Sequence, residues 1–265
     1  MEILSSAVLP FSFENKFFAF SQKIVFFLRF FFSFSLGGEF CVSCGKKTIV
    51  FPLCGECRRN FAELDFSRRC AVCGKELLSE IEVCSACRKE PVIKSAEKVF
   101  PLHSYRFWKK NLLFDWKLGE KRTLSVYFAS LLAKKLREIE KEYGSFFIVP
   151  VPPRPGKIRE KGWDQVEELC FYLKHGWNFT VIPLLERLSG MQQKKLGRTE
   201  RLCTIGKSFA LVRKKKSLRM LKKNSCRAVI LDDVITTGNT VAGCAEKIKG
   251  LGIRKVKVLS LFIVD

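Results

Sequence analysis

Eight cysteines near the amino end of the 265-residue chain form four Cys-x-x-Cys pairs. The spacing is C-x2-C-x9-C-x2-C, twelve residues, then C-x2-C-x10-C-x2-C, and the pairs are Cys41/Cys44, Cys54/Cys57, Cys70/Cys73 and Cys84/Cys87. Two sulfurs at this spacing can bind one tetrahedral Zn²⁺, and a second pair completes the coordination shell. The pattern therefore predicts two zinc sites. Because protein ligands fill every position in each, the sites should be structural.

The same cysteines could instead form disulfides or redox motifs. Disulfides need an oxidising compartment, and the sequence contains no recognisable secretory signal. Redox motifs usually occur singly beside a βαβ unit, so zinc remains the prediction. Pairing of the motifs in sequence order and a cross-braced arrangement are both compatible with the spacing. The remaining cysteines are scattered and should be buried apolar residues: Cys170, Cys203, Cys226 and Cys244.

Two adjacent carboxylates, Asp232 and Asp233, end an apolar run at residues 228–231. A short segment rich in hydroxyls follows them and contains Thr236, Thr237, Gly238, Asn239 and Thr240. Carboxylates beside a buried strand are costly unless donors satisfy them, and sugar hydroxyls would do so. Backbone N–H groups at the start of the next helix could hold a phosphate. The pattern predicts a site for a ribose carrying a phosphate, since helix capping alone would not explain two carboxylates.

A second segment, 149–162, places basic residues directly after another apolar run. It reads VPVPPRPGKIREKG and is expected to be a loop. Ligands of parallel sheets bind beyond the carboxyl ends of the strands, so this loop should reach the same edge as the carboxylates. Its cationic side chains are Arg154, Lys157, Arg159 and Lys161.

Helical and strand patterns alternate from about residue 96 onward, and these elements must position both segments. Helical spacing covers 123–142, roughly 163–174 and 241–251, whereas apolar runs typical of buried strands occupy 146–149, 179–184, 228–231 and 256–264. This alternation predicts an α/β fold with a mainly parallel sheet and flanking helices. A small Cys-rich zinc-ribbon domain would precede it.

The chain carries 48 basic and 26 acidic residues, a net charge of +22, which favours polyanionic partners such as nucleic acid. The charge is concentrated at 187–227, where fourteen basic residues face one acid, Glu200. Only two histidines occur, His103 and His175, which argues against His-based triads and His-rich metal sites. We expect both to be structural.

Twelve of the 25 phenylalanines lie before residue 41. A membrane span needs about 20 apolar residues, and Lys16, Lys23 and Arg29 interrupt this stretch. We expect an apolar segment that docks on the protein, or a start codon placed too far upstream, with a monotopic membrane anchor as the alternative. The predicted organisation is an apolar segment (1–40), a double zinc ribbon (41–95) and an α/β domain (96–265), in the cytoplasm and without an integral membrane span.

The segment 229–240 resembles the phosphoribosyl pyrophosphate (PRPP) motif of type I phosphoribosyltransferases at every position. From about Cys41 onward the chain resembles the ComF family, which joins a double zinc ribbon to a phosphoribosyltransferase domain. Val-Pro-Val-Pro at 149–152 and Lys-Gly-Trp-Asp-Gln at 161–165 match family segments, although the family has Phe and Asn where Trp163 and Asp164 stand. Further matching positions are Tyr105, Lys117, Gly119, Arg187, Arg198, Glu200, Arg201 and Phe209.

This resemblance implies a role for each segment. Asp232 and Asp233 would bind the ribose hydroxyls, and residues 236–240 the 5′-phosphate. The pyrophosphate, bridged by Mg²⁺, would be approached by Val151, Pro152, Arg154, Lys157, Arg159 and Lys161. A type I phosphoribosyltransferase with an unidentified acceptor is implied, linked to DNA uptake in natural transformation, with single-stranded DNA and DNA-uptake proteins as partners. The alternative is a non-catalytic PRPP sensor that binds single-stranded DNA.

Overall fold

The computed structural model describes residues 38–49, 51–62, 68–105, 107–119, 121–188, 208–212 and 227–264. The Phe-rich segment up to residue 37 and most of the basic stretch 187–227 lie outside the described residues. In chain order the elements are β1 (Glu39–Phe40), β2 (Lys47–Thr48), α1 (Gly55–Ala62), α2 (Ser85–Lys89), β3 (Lys98–Ser104), α3 (Phe107–Lys117), α4 (Leu124–Tyr143), β4 (Phe147–Pro150), α5 (Lys157–Lys161), α6 (Gln165–Trp177), β5 (Leu185–Arg187), β6 (Phe209–Leu211), β7 (Arg227–Ile235), α7 (Asn239–Lys249) and β8 (Lys255–Ile263).

A four-stranded sheet in the order β3-β8-β7-β4 forms the centre, and all its neighbouring strands run parallel. Alternate residues of β7 face opposite cores, Val229 toward α4 and α6 and Ile230 toward α7. A sheet covered by helices on both faces needs such continuous apolar strands. The predicted α/β class with a mainly parallel sheet is confirmed.

The strand expected near 179–184 is reduced to a single bridge between Val181 and Ile148 of β4. The Ile148 N–H donates to the Thr180 carbonyl at 2.8 Å, and the Ile182 N–H donates to the Ile148 carbonyl at 2.9 Å. The next residue of β4 that faces this segment is Pro150, which has no N–H to donate to the Ile182 carbonyl and extend the ladder. The prediction of a full strand here is wrong for that reason.

The Cys-rich part packs into the same core as the helices. Phe61 at the end of α1 is fully buried, with its ring 4.5 Å from that of His103 and 5.7 Å from that of Phe128. The Tyr127 hydroxyl of α4 donates to the Arg58 carbonyl at 2.9 Å. The buried position of His103 among aromatic rings is the structural one we expected. Helix α1 therefore completes the core on one side of the sheet.

The second cysteine group rests against β3, the strand at one end of the sheet order. The Arg69 guanidinium donates to the Ser104 hydroxyl at 3.2 Å. A Cβ on Gly74 would lie 2.6 Å from the Pro101 ring, so only a glycine allows this approach. Pro101 lacks an N–H and suits an edge strand. Within the described part of the chain, no helix is both long and apolar enough to cross a bilayer.

Candidate functional site

The sheet opens at the carboxyl end of β4. Pairing between β4 and β7 ends at Leu231, whose carbonyl accepts a 2.9 Å hydrogen bond from the Val151 N–H. Pro152 and Pro153 come next and have no N–H with which to continue the ladder. Strand β7 nevertheless continues along β8 as far as Ile235. The expectation that this strand ends at the carboxylates is therefore wrong, because β8 carries its ladder further.

Asp232 and Asp233 lie at this opening. Asp232 is buried, and its carboxylate accepts the Asp233 N–H at 2.9 Å. Burial, together with the neighbouring Asp233 charge, raises the pKa of Asp232 well above its usual value. Asp233 is held by Lys117, whose Nζ lies 2.6 Å from its Oδ2. Among the described residues, Lys117 is the cation that forms an ion pair with these two carboxylates.

The hydroxyl-rich segment follows on the same unit. Gly238 has a left-handed φ of 80° and forms the N-cap of α7, and its carbonyl accepts the Ala242 N–H at 2.9 Å. Thr236 and Thr237 are exposed, whereas Asn239 and Thr240 are half-buried in the first turn. Strand, turn and helix therefore place both carboxylates and the amino end of α7 at one edge of the sheet.

The basic segment differs from the expected loop. Residues Lys157–Lys161 form the short helix α5, flanked by Gly156 and Gly162 with left-handed φ values of 84° and 73°. Val151 and Pro152 are buried at the end of β4. The loop prediction is wrong for these five residues, because the two glycines allow the chain to turn into and out of a helical turn.

Two of its four cations are neutralised within the chain. Lys157 Nζ lies 2.6 Å from the buried Asp164 carboxylate and also donates to Gln165, and Arg154 pairs with Glu160 at 2.6 Å. Arg159 and Lys161 are exposed and have no ion-pair partner among the described residues. The positive charge available to an anionic ligand is therefore smaller than the sequence suggested.

The structure also assigns a role to Asp164 that sequence reasoning missed. Its carboxylate accepts the Glu167 N–H at 3.0 Å and caps α6, which begins at Gln165. An Asp followed three residues later by Glu is a recognisable helix-start signal and could have revealed this cap. Asp164 thus both starts α6 and anchors Lys157.

The eight paired cysteines gather into two groups in sequence order, Cys41, Cys44, Cys54 and Cys57, then Cys70, Cys73, Cys84 and Cys87. Within each group all sulfurs lie within 4.8 Å of one another. A tetrahedral site with Zn–S bonds of about 2.3 Å separates its sulfurs by about 3.8 Å. The Cys44–Cys54 and Cys73–Cys84 sulfurs lie 3.7 and 3.8 Å apart. Both groups could hold a zinc ion, and the cross-braced alternative is excluded.

Backbone N–H donors lower the pKa of one cysteine in each group. Burial alone would raise the pKa of Cys41, but N–H groups of Cys54, Cys44 and Ser43 outweigh it and lower the pKa to about 7. In the second group, backbone N–H groups likewise lower the pKa of Cys70 to about 7, although burial would raise it. Metal binding requires thiolates, so these donors favour it at Cys41 and Cys70, whereas burial raises the pKa of Cys57 and of Cys73. The residue after the first pair of each group has a left-handed backbone, with φ values of 71° at Gly45 and 77° at Gly74.

No protein-family model matches this chain. The competence protein ComFC of Streptococcus pneumoniae is 28% identical to it over 236 residues, covering 83% of this chain and 98% of that protein. The competence protein F of Haemophilus influenzae is 23% identical over 229 residues, covering 83% of this chain and 89% of that protein. Together with the two four-cysteine groups, these relatives confirm the resemblance to the ComF family.

The zinc assignment predicts two Zn²⁺ per chain, measured by elemental analysis of protein purified without chelator. Cys84→Ala should leave about one zinc, because a structural site needs its full ligand set. Cys170→Ala removes a buried cysteine outside both groups and should retain two. Wild-type protein without zinc, or Cys84→Ala protein with two, would contradict the assignment.

Asp232→Asn should stabilise the ligand-free protein at pH 8. The raised pKa of Asp232 means that its ionised form is disfavoured in the fold, so stability increases as pH falls through that pKa. A neutral amide removes this penalty, so the free energy of unfolding should rise by at least about 1 kcal/mol at pH 8. The difference from wild type should be smaller at pH 5, because protonation of the wild-type carboxyl removes the same penalty. Urea unfolding at both pH values measures it.

Asp115→Asn is the matched control, since Asp115 is partly exposed and pairs with Lys121 at 3.2 Å. Its unfolding free energy should change by less than about 1 kcal/mol. Loss of stability in Asp232→Asn at pH 8 would show that the carboxylate is not a strained group.

Proposed function

We propose that this protein binds PRPP with Mg²⁺ at the carboxyl edge of its sheet and transfers phosphoribose to an acceptor in a competence-related process. The supporting observation is the position of Asp232 and Asp233 where β4 departs from β7. There, the two carboxylates lie in β7 past the end of its pairing with β4, and α7 begins six residues after Asp233. This order of groups matches the order of a ribose and its 5′-phosphate.

The carboxylates would accept hydrogen bonds from the ribose hydroxyls. The charged form of the buried Asp232 carboxylate is unfavourable in the absence of donors, and sugar hydroxyls would supply them. Lys117 would hold the Asp233 carboxylate in place through their 2.6 Å ion pair. The unfavourable charge of the ligand-free site thus becomes a source of selectivity for a vicinal diol.

The 5′-phosphate would lie at the amino end of α7. This helix has eleven residues, and its first turn contains no acidic residue to compete with a phosphate. Unpaired N–H groups at a helix start and the helix dipole attract an anion. Thr236, Thr237, Gly238, Asn239 and Thr240 are the candidate ligands.

The pyrophosphate would face the segment that follows β4. Since Arg154 and Lys157 are paired internally, Arg159 and Lys161 supply its available positive charge. Mg²⁺ bound with the substrate would neutralise part of the pyrophosphate charge as this group departs. The side chains contribute by fixed electrostatics, while an acceptor nucleophile attacks the anomeric carbon.

The relatives named as competence proteins support placing this activity in DNA uptake. A second candidate function, single-stranded DNA binding without turnover, is favoured by the charge distribution. The basic stretch 187–227 has fourteen cations and one acid. Such a field can follow a phosphate backbone without reading its sequence. Product formation from PRPP, Mg²⁺ and a panel of bases would separate an enzyme from a sensor.

The double substitution Asp232→Asn/Asp233→Asn should weaken PRPP binding at least tenfold, as measured by calorimetry with Mg²⁺. Each charge-assisted hydrogen bond contributes about 1.5–3 kcal/mol. Asp115→Asn, on neighbouring α3, should bind like wild type. Equal affinity of the wild type and the double variant, or a loss of the same size in Asp115→Asn, would contradict this location for the sugar.

If single-stranded DNA binds through the basic stretch, log affinity should fall with log salt by about 0.7 per phosphate contacted. Charge reversal to Glu at Lys214, Lys215 and Lys216, which lie outside the described residues, should flatten that slope. Reversal at the exposed lysines Lys134, Lys141 and Lys249 is the matched control. A slope near zero, or equal effects of both triple variants, would refute the DNA hypothesis.

A further inference from the structure

The phosphate segment touches the chain that leaves the second cysteine group. Ile93 lies six residues after Cys87 and is 2% exposed. It belongs to the same apolar cluster as Val241 and Cys244 of α7 and Ile235 at the end of β7. A residue of the Cys-rich part is therefore built into the core beneath the candidate phosphate site.

Its contact with the phosphate segment is direct. A Cβ on Gly238 would lie 3.0 Å from Ile93 Cδ1 and 3.7 Å from Val92 Cγ1. Gly238 also has a left-handed φ of 80°, so any larger residue would be strained in its backbone and would press against Ile93. The Ile93 side chain thus forms the wall against which the turn at Gly238 is packed.

The position of Ile93 depends on attachments on both sides. On the carboxyl side, the Glu97 N–H donates to the Val256 carbonyl of β8 at 2.8 Å. On the amino side, helix α2 begins directly after Cys84 and contains Cys87. The same cysteine group is fixed to β3 through Gly74 and Pro101. A change in its folding would therefore be transmitted to residues 92 and 93.

We propose that Ile93 is a positioning residue for the phosphate segment and that it couples the second cysteine group to ligand binding at Gly238. This inference rests on the proposed function. A coupling free energy between two sites is reciprocal, so a ligand at Gly238 must stabilise the second group to the extent that the group favours the ligand. The first cysteine group lies outside this contact.

The physical cause is preorganisation. A phosphate bound by backbone N–H groups gains affinity when those groups are held in place before binding. Replacing Ile93 by Ala would leave a cavity beside Gly238, and the turn could then relax into it. We expect the affinity for ribose 5-phosphate to fall by about fivefold or more. Ile93→Val keeps most of the side chain beside Gly238 and should bind ribose 5-phosphate nearly as tightly as wild type.

Hydrogen–deuterium exchange on the full-length, zinc-loaded protein tests this coupling, with ribose 5-phosphate as the probe. In wild type the ligand should slow exchange in peptides covering 70–90 but not in those covering 41–57. Ile93→Ala should abolish that protection, and Ile93→Val should recover it. Ile253→Ala is the matched control, since Ile253 is 3% exposed in the same cluster, whereas the atoms nearest to a Cβ on Gly238 belong to Ile93 and Val92.

Calorimetry on the same samples separates two failures. If wild type binds ribose 5-phosphate but exchange at 70–90 is unchanged, or if Ile93→Ala binds as tightly as wild type, the coupling is refuted while the proposed function stands. If wild type binds neither ribose 5-phosphate nor PRPP, both the proposed function and the coupling are refuted. An equal loss of protection in Ile253→Ala would also overturn the specific role of Ile93.

Discussion

One constraint shapes the carboxyl edge of the sheet. The fold must hold two adjacent carboxylates, Asp232 and Asp233, in a buried parallel strand. Asp232 is buried, and its neighbour Asp233 is compensated by Lys117 at 2.6 Å. Burial and the neighbouring Asp233 charge disfavour the ionised form of Asp232, a cost that hydrogen-bond donors would lower. Burial of the apolar strands offsets this cost, because their alternate residues fill cores on both faces of the sheet. The stability of those cores allows the strained pair to persist.

The prolines after β4 give this site its opening. A residue with an N–H at position 153 could extend the ladder along β7 beyond Val151, whereas Pro153 cannot. Strand β7 keeps its partner β8 on the other side and therefore stays ordered past the carboxylates. Within the described residues, β7 thus loses its β4 partner after Leu231 while its other edge stays paired with β8.

The Cys-rich part is integrated with the α/β core. Phe61 enters the aromatic cluster around His103 and Phe128, and Ile93 packs beneath Gly238. These contacts use side chains that carry no chemistry of their own. They connect the two regions by packing, and Ile93 places the chain that leaves the second cysteine group against the turn at Gly238. Asp164 also connects two elements, because its carboxylate pairs with Lys157 of α5 and caps α6.

Local patterns were sufficient for the elements and for the chemistry of each segment. The spacing of eight cysteines predicted two four-sulfur zinc sites, because two sulfurs separated by two residues can bind one ion. The apolar runs before Asp232 and around Ile148 predicted buried strands, since a sheet covered on both faces needs continuous apolar residues. The amino end of α7 followed from the turn residues near Gly238.

Only the tertiary structure decided which of these segments meet and which charges remain available. The grouping of cysteines, the ion pair of Lys117 with Asp233 and the internal neutralisation of Lys157 each join residues distant in sequence or separated by a turn. The contact of Ile93 with Gly238 spans more than a hundred residues and has no motif. Such contacts arise from packing of whole elements, and no local periodicity encodes them, because many apolar residues could fill the same space.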